Sequence, residues 1–137
     1  MRAAAEHWSQ LTGSLFAAAP YHAHEDPLAR VLAYIDFCAA LINGPVESFT
    51  CLVGTMVQES FQSSAAIREA CRASIAGHAA MLEADLDAAI CQHGVTAQSL
   101  ALHTQAVLQG AFILAKATGG PEAARELLAA MNNAAPM

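Results

Sequence analysis

Residues able to do chemistry are few in this chain. The run His22–Asp26, HAHED, sets two histidines and two carboxylates within five residues, a donor set that could hold a divalent metal if the loop wrapped around it. The same residues have a plainer use. Asp26 stands directly before Pro27, where its carboxylate can cap the next helix and the negative charges favour that helix's positive end. We therefore take the run as a solvated loop and expect no metal. Cys38, Cys51, Cys71 and Cys91 each fall inside a helical pattern and form no CxxC pair, which reads as buried free thiols rather than disulfides or zinc ligands. Cys51 lies in an apolar run with nothing nearby to activate it, so no nucleophile is expected. HExxH, GxSxG, GxGxxG and GxxxxGK[ST] do not occur, and no catalytic residue or cofactor is expected.

Two weaker signals point to binding. His78 falls on an apolar helical stripe, where it is either a satisfied buried histidine or a hydrogen-bond handle in a mostly apolar pocket. Gln105 and Gln109, four residues apart, either line such a pocket as neutral donors and acceptors or form the exposed or interfacial edge of their helix. We take the second.

The elements that would position these residues read as six helices, five long and one short, with almost no strand pattern. The first, about 2–18, places Trp8, Leu11, Leu15 and Ala18 on one side before Pro20 ends it. The second starts at Pro27 behind Asp26, buries Leu28, Val31, Ile35, Cys38 and Ile42, and stops at Asn43, Gly44 and Pro45. A third spans about 46–62 with Phe49, Leu52, Val53, Met56 and Ser60 at helical spacing, and the fourth, about 64–93, carries Ile67, Cys71, Ile75, His78, Leu82, Leu86 and Ala89 along one stripe before Gly94. Thr96 can cap the fifth, which Gly119 and Gly120 end. A shorter sixth starts at Pro121 and Glu122 and runs to about Met131.

The fifth helix, QSLALHTQAVLQGAFILAKAT from Gln98 to Thr118, is the most demanding. Its only formal charge is Lys116. At about 100° per residue, Leu100, Thr104, Val107, Ala111 and Leu114 fall on one face and Leu108, Phe112 and Ala115 on another. A helix this apolar needs cover on two sides, and a domain of 137 residues usually supplies one. A second copy of the chain is the expected second cover.

Composition agrees. Hydrophobic residues make up 55% and charged ones 13%, with a mean hydropathy of +0.37, so some apolar surface should lie in an interface. The net charge is −6, and the six cations stand singly at Arg2, Arg30, Arg68, Arg72, Lys116 and Arg125. Without a basic patch, direct nucleic-acid binding is not expected. His103, Thr104, Gln105 and Gln109 interrupt the one stretch long enough to span a membrane. Glu6, His7, Ser9 and Gln10 break any signal-peptide core. A cytoplasmic chain is expected.

The runs FTCLVGTMVQESF (49–61), IREACRASIAGHAAMLEADLDAAICQHG (67–94) and SLALHTQAVLQGAFILAKATGG (99–120) resemble the C-terminal regulatory domain of tetracycline-repressor (TetR) family transcription factors. The resemblance covers about 26–131. It implies an all-α, six-helix regulatory domain whose last two long helices form a four-helix bundle with those of a partner, as the fifth helix demands on its own grounds. The opening residues do not fit the helix-turn-helix that such proteins place first. They resemble the connecting helix that follows it, so the chain reads as a single domain, 1–137: connecting helix and loop 1–25, core 26–131, tail 132–137. It would lack a DNA reader through truncation, a misplaced start codon or a genuinely shortened gene.

The resemblance implies a cavity among the connecting helices, with Phe37, Leu41, Phe49, Met56, His78, Met81, Leu82, Leu108 and Phe112 as lining residues for a small apolar or weakly polar ligand. Met or aromatic stripes of this kind also serve as plain core. The homodimer interface is expected at Leu100, Val107, Gly110, Ala111, Leu114, Leu127 and Leu128. The leading function is small-molecule sensing and dimerisation. The alternative is a helical interaction module that pairs with full-length relatives to give heterodimers unable to bind DNA.

Overall fold

A computed structural model describes residues 2–89, 95–118 and 121–134. These form six α-helices and two 3-10 turns: α1 (Arg2–Ala17), a turn at Pro20–Ala23, α2 (Pro27–Leu41), a turn at Val46–Phe49, α3 (Leu52–Ser60), α4 (Ala65–Ala89), α5 (Ala97–Ala117) and α6 (Glu122–Ala134). The all-α class read from the sequence holds. Gly94, Cys91, Gly119, Gly120 and the last three residues of the tail lie outside the described residues.

Helix starts follow local chemistry. The Asp26 carboxylate accepts from the Ala29 amide at 2.8 Å and Pro27 opens α2, while Thr96 Oγ1 accepts from the Ser99 amide at 3.1 Å and opens α5. Both side chains satisfy amides that lack helical partners. Ser64 Oγ does the same for α4 through the Ile67 amide.

The third helix differs from its expected span of 46–62. It breaks at Thr50 and Cys51 into the second 3-10 turn and α3, a helix of 9 residues. Side chains cause the break. Thr50 Oγ1 bonds back to the Val46 carbonyl at 2.6 Å, and Cys51, in extended conformation, accepts from the Gly54 amide on Sγ at 3.3 Å, each offering the backbone an alternative to continuous helix. As a result α3, not α6, is the shortest helix.

The long α4 is the hub, packing against α1, α2, α3 and α5, while α6 lies on α5 and α2. One core cluster joins α2, α4, α5 and α6 through buried Tyr34, Cys38, Leu82, Leu108 and Leu128. A smaller one joins α1, α3 and α4 through Ala5, Val53, Met56 and Cys71. On α1 the buried residues are Ala5 and Phe16, whereas Leu11 and Leu15 are exposed, contrary to the sequence reading of that face. The reason is what lies beneath α1: a cavity rather than solid core.

Candidate functional site

A cavity of about 570 Å³ lies among α1, α2, the second 3-10 turn, α3, α4 and α5. Both core clusters contribute to its walls. The body is apolar, with Trp8 and Phe16 from α1, Val53 and Val57 from α3, Ile75 from α4 and Leu108 from α5. Leu11, Leu15, Met81 and Ile113 also line it and remain exposed, so they form an apolar rim. Such a concavity, mostly hydrocarbon with a few placed polar groups, is the usual form of a small-molecule site.

Three of the polar lining groups are joined to one another. The Gln105 amide nitrogen donates to the Tyr34 hydroxyl at 2.9 Å, and that hydroxyl stands 2.8 Å from Nε2 of His78. Three helices, α2, α4 and α5, thus meet in one chain of hydrogen bonds. Phe16 closes over it, its ring 4.5 Å from the His78 imidazole in edge-to-face contact and 5.7 Å from Tyr34. Gln109 lies one turn beyond Gln105 on α5 and also faces the cavity. On the opposite wall Ser9 and Ser74 share a hydrogen bond of 2.8 Å that ties α1 to α4.

Electrostatically the site is neutral. Burial lowers the His78 pKa from its ordinary 6.5, burial raises that of Tyr34, and the Cys38 thiol is pushed up to about 12, chiefly by burial. All three are held in their uncharged forms at neutral pH. Among the described lining residues Glu47 alone carries a formal charge, and it is exposed.

Of the residues expected to line a pocket, Leu41, His78, Met81, Leu108 and Phe112 do so. Phe37, Phe49, Met56 and Leu82 do not. Phe37 packs on Phe16 and Tyr21, Phe49 lies 6.3 Å from Phe112 with the Lys116 ammonium 5.5 Å from its ring centre, and Met56 and Leu82 belong to the two cores. Tyr34, Gln105 and Gln109 line it as well, although the sequence reading placed both glutamines at the helix edge. A four-residue glutamine spacing was the one available signal. Nothing local marked Tyr34, because a tyrosine on a buried stripe also reads as plain core.

The expected dimer residues divide. Ala111 and Leu128 are buried in this chain's own core, and Leu100 and Val107 are partly covered by it. Leu114 and Leu127 are exposed, joined by Leu102 and Ile113, which the sequence reading did not name. A Cβ added at Gly110 would meet nothing within 4 Å. The open face of α5 is therefore turned toward Leu102, Ala106, Gly110 and Ile113.

The HAHED loop is held from behind. Arg30 bonds the carbonyls of His24 and Glu25 at 2.8 and 2.9 Å and reaches Asp85 on α4 at 2.7 Å, while the His22 ring donates to the Phe16 carbonyl at 2.8 Å. Among the described residues no group of three or more His, Cys, Asp or Glu side chains is placed to hold a metal. Nor is any described helix long and apolar enough to cross a membrane.

The family model described as transcriptional regulator LmrA/YxaF-like, C-terminal domain, matches residues 27–130, the span from the start of α2 into α6. No curated protein and no solved structure matches the chain.

Proposed function

The chain belongs to the TetR family of transcriptional regulators, as an LmrA/YxaF-like C-terminal domain, and from that membership we propose that it is a cytoplasmic, small-molecule-sensing and dimerisation domain. The observation that carries the sensing half is the cavity, whose mainly hydrocarbon lining and hydrogen-bonded Gln105, Tyr34 and His78 suit an uncharged, mainly apolar guest. Its walls come from five of the six helices. A guest that fits one arrangement of α1 against α4 better than another shifts the population toward it. The Ser9–Ser74 bond and the exposed Leu11 and Leu15 on α1 are the contacts such a shift would remake.

The dimerisation half rests on α5 and α6. Leu102, Ile113, Leu114 and Leu127 are 37% to 55% exposed, and an apolar stripe of this kind on adjacent helices suits a two-fold bundle with a second copy. The chain's scattered cations leave nucleic-acid contact to other parts of a complete regulator. Regulation without catalysis is the reading that fits the neutral, hydrocarbon-lined site.

One experiment tests both halves. Native mass spectrometry of the purified protein should give twice the chain mass, and a screen of neutral apolar compounds by thermal shift should find some that raise the melting temperature. A monomer that no compound stabilises would overturn the proposal.

A further inference from the structure

The joined polar groups of the cavity narrow the chemistry of its guest. Gln105 is 8% exposed and is oriented by the bond from its amide nitrogen to Tyr34. The atom left over is therefore Oε1, an acceptor with no protein partner among the described residues. Having accepted from Gln105, the Tyr34 hydroxyl has one hydrogen to give; the Cys38 thiol, a weak acceptor, is within its reach, and Nε2 of His78, 2.8 Å away, is the stronger one. A neutral imidazole that accepts at Nε2 carries its hydrogen on Nδ1, and Nδ1 likewise has no protein partner among the described residues. With His78 in that tautomer, a donor on α4 and an acceptor on α5 are left open, their side chains held together by one tyrosine on α2.

We propose that this open pair is the recognition element of the cavity and that it selects an uncharged molecule presenting an acceptor beside a donor on a hydrocarbon body, as a primary amide or a lactam does. The inference rests on the sensing role proposed above. A carboxylate would set its charge against the Gln105 oxygen with no described cation in the wall, at the cost of losing its water. A molecule with an acceptor alone would leave Oε1 unpaired once water is expelled, which costs more than a missing bond does in solvent. Gln109, with both a donor and an acceptor free to turn, adds affinity without choosing between these guests.

The test uses matched probes on the whole chain at neutral pH: uptake of the neutral dye Nile red, and its displacement by decanamide, methyl decanoate and decanoate, with direct binding measured by calorimetry. Decanamide should bind about tenfold or more tighter than methyl decanoate, with decanoate weakest, and Tyr34→Phe or Gln105→Met should shrink the amide's advantage. Folding of each variant is checked by circular dichroism, and the wild-type series decides the matter if neither variant folds. Dye uptake with equal affinity for the amide and the ester would overturn the selectivity and leave the sensing role standing. No uptake of dye or of any probe would overturn the sensing role itself.

Discussion

The Tyr34 hydroxyl lies 2.8 Å from Nε2 of His78, joining α2 to α4 across 44 positions of sequence. That contact makes the fold sensitive to acid in a definite direction. Burial lowers the folded-state pKa of His78 below its ordinary 6.5, and the side chains packed around it, Tyr34, Phe16 and, beyond the tyrosine, Gln105, carry no charge. The unfolded chain then binds a proton near pH 6.5 that the folded chain refuses, so this contribution is complete above that pH and is lost as pH falls toward the folded value. Urea midpoints of the wild type and His78→Gln should therefore draw together as pH drops from about 7.5 to about 5.5. A gap that stays constant over the range would mean that His78 titrates as it does in the unfolded chain.

Gly110 allows the proposed pairing of two chains to be tested apart from the fold of one. Within the chain a Cβ there meets nothing, and replacing glycine by alanine inside a helix gains about 1 kcal/mol. Gly110→Ala should therefore raise monomer stability, while Gly110→Glu should keep the helical circular-dichroism signal and give a monomer by sedimentation, because a partner helix would bury an unpaired charge. Dimer mass unchanged in Gly110→Glu would place the interface on another face.

Helix existence, order and caps were legible in the sequence because each depends on near neighbours: Asp26 before Pro27, Thr96 before α5, and the 3.6-residue stripes of α2 and α4. The break at Cys51 was not legible, since a thiol capping Gly54 leaves no stronger mark than the apolar run around it. The pocket was half legible for a related reason. Periodicity tells which face of a helix turns inward, but whether the inward residue meets a neighbour or a void depends on several helices at once. Leu82 and Met81 are adjacent in sequence, yet the first is core and the second cavity rim. The Tyr34–Gln105 bond spans 71 positions and has no local signature at all.

Asp26 gives a measure of the capping argument. Its carboxylate serves the Ala29 amide at 2.8 Å and little else in the structure. Asp26→Ala should cost about 1 kcal/mol in chemical denaturation, whereas Asp26→Asn, which keeps the acceptor, should cost only a few tenths. Equal losses in the two variants would mean that charge, not the hydrogen bond, secures the start of α2.

Gly77 offers the cleanest separation of stability from sensing. It lies in the middle of α4, lines the cavity, and a Cβ there would meet nothing within 4 Å. A larger side chain at this position enters open space rather than packed core, so the usual cost of overfilling an interior does not arise. It also removes a helix-interior glycine, which favours folding by several tenths of a kcal/mol for leucine. Gly77→Leu is therefore expected to melt at or above the wild-type temperature while taking up less Nile red and binding decanamide more weakly. Gly13, on α1 across the same cavity and equally free of neighbours, should behave alike as Gly13→Leu. If both variants gain stability yet bind the probes as the wild type does, guests sit deeper, against Tyr34 and Leu108, away from Gly13 and Gly77.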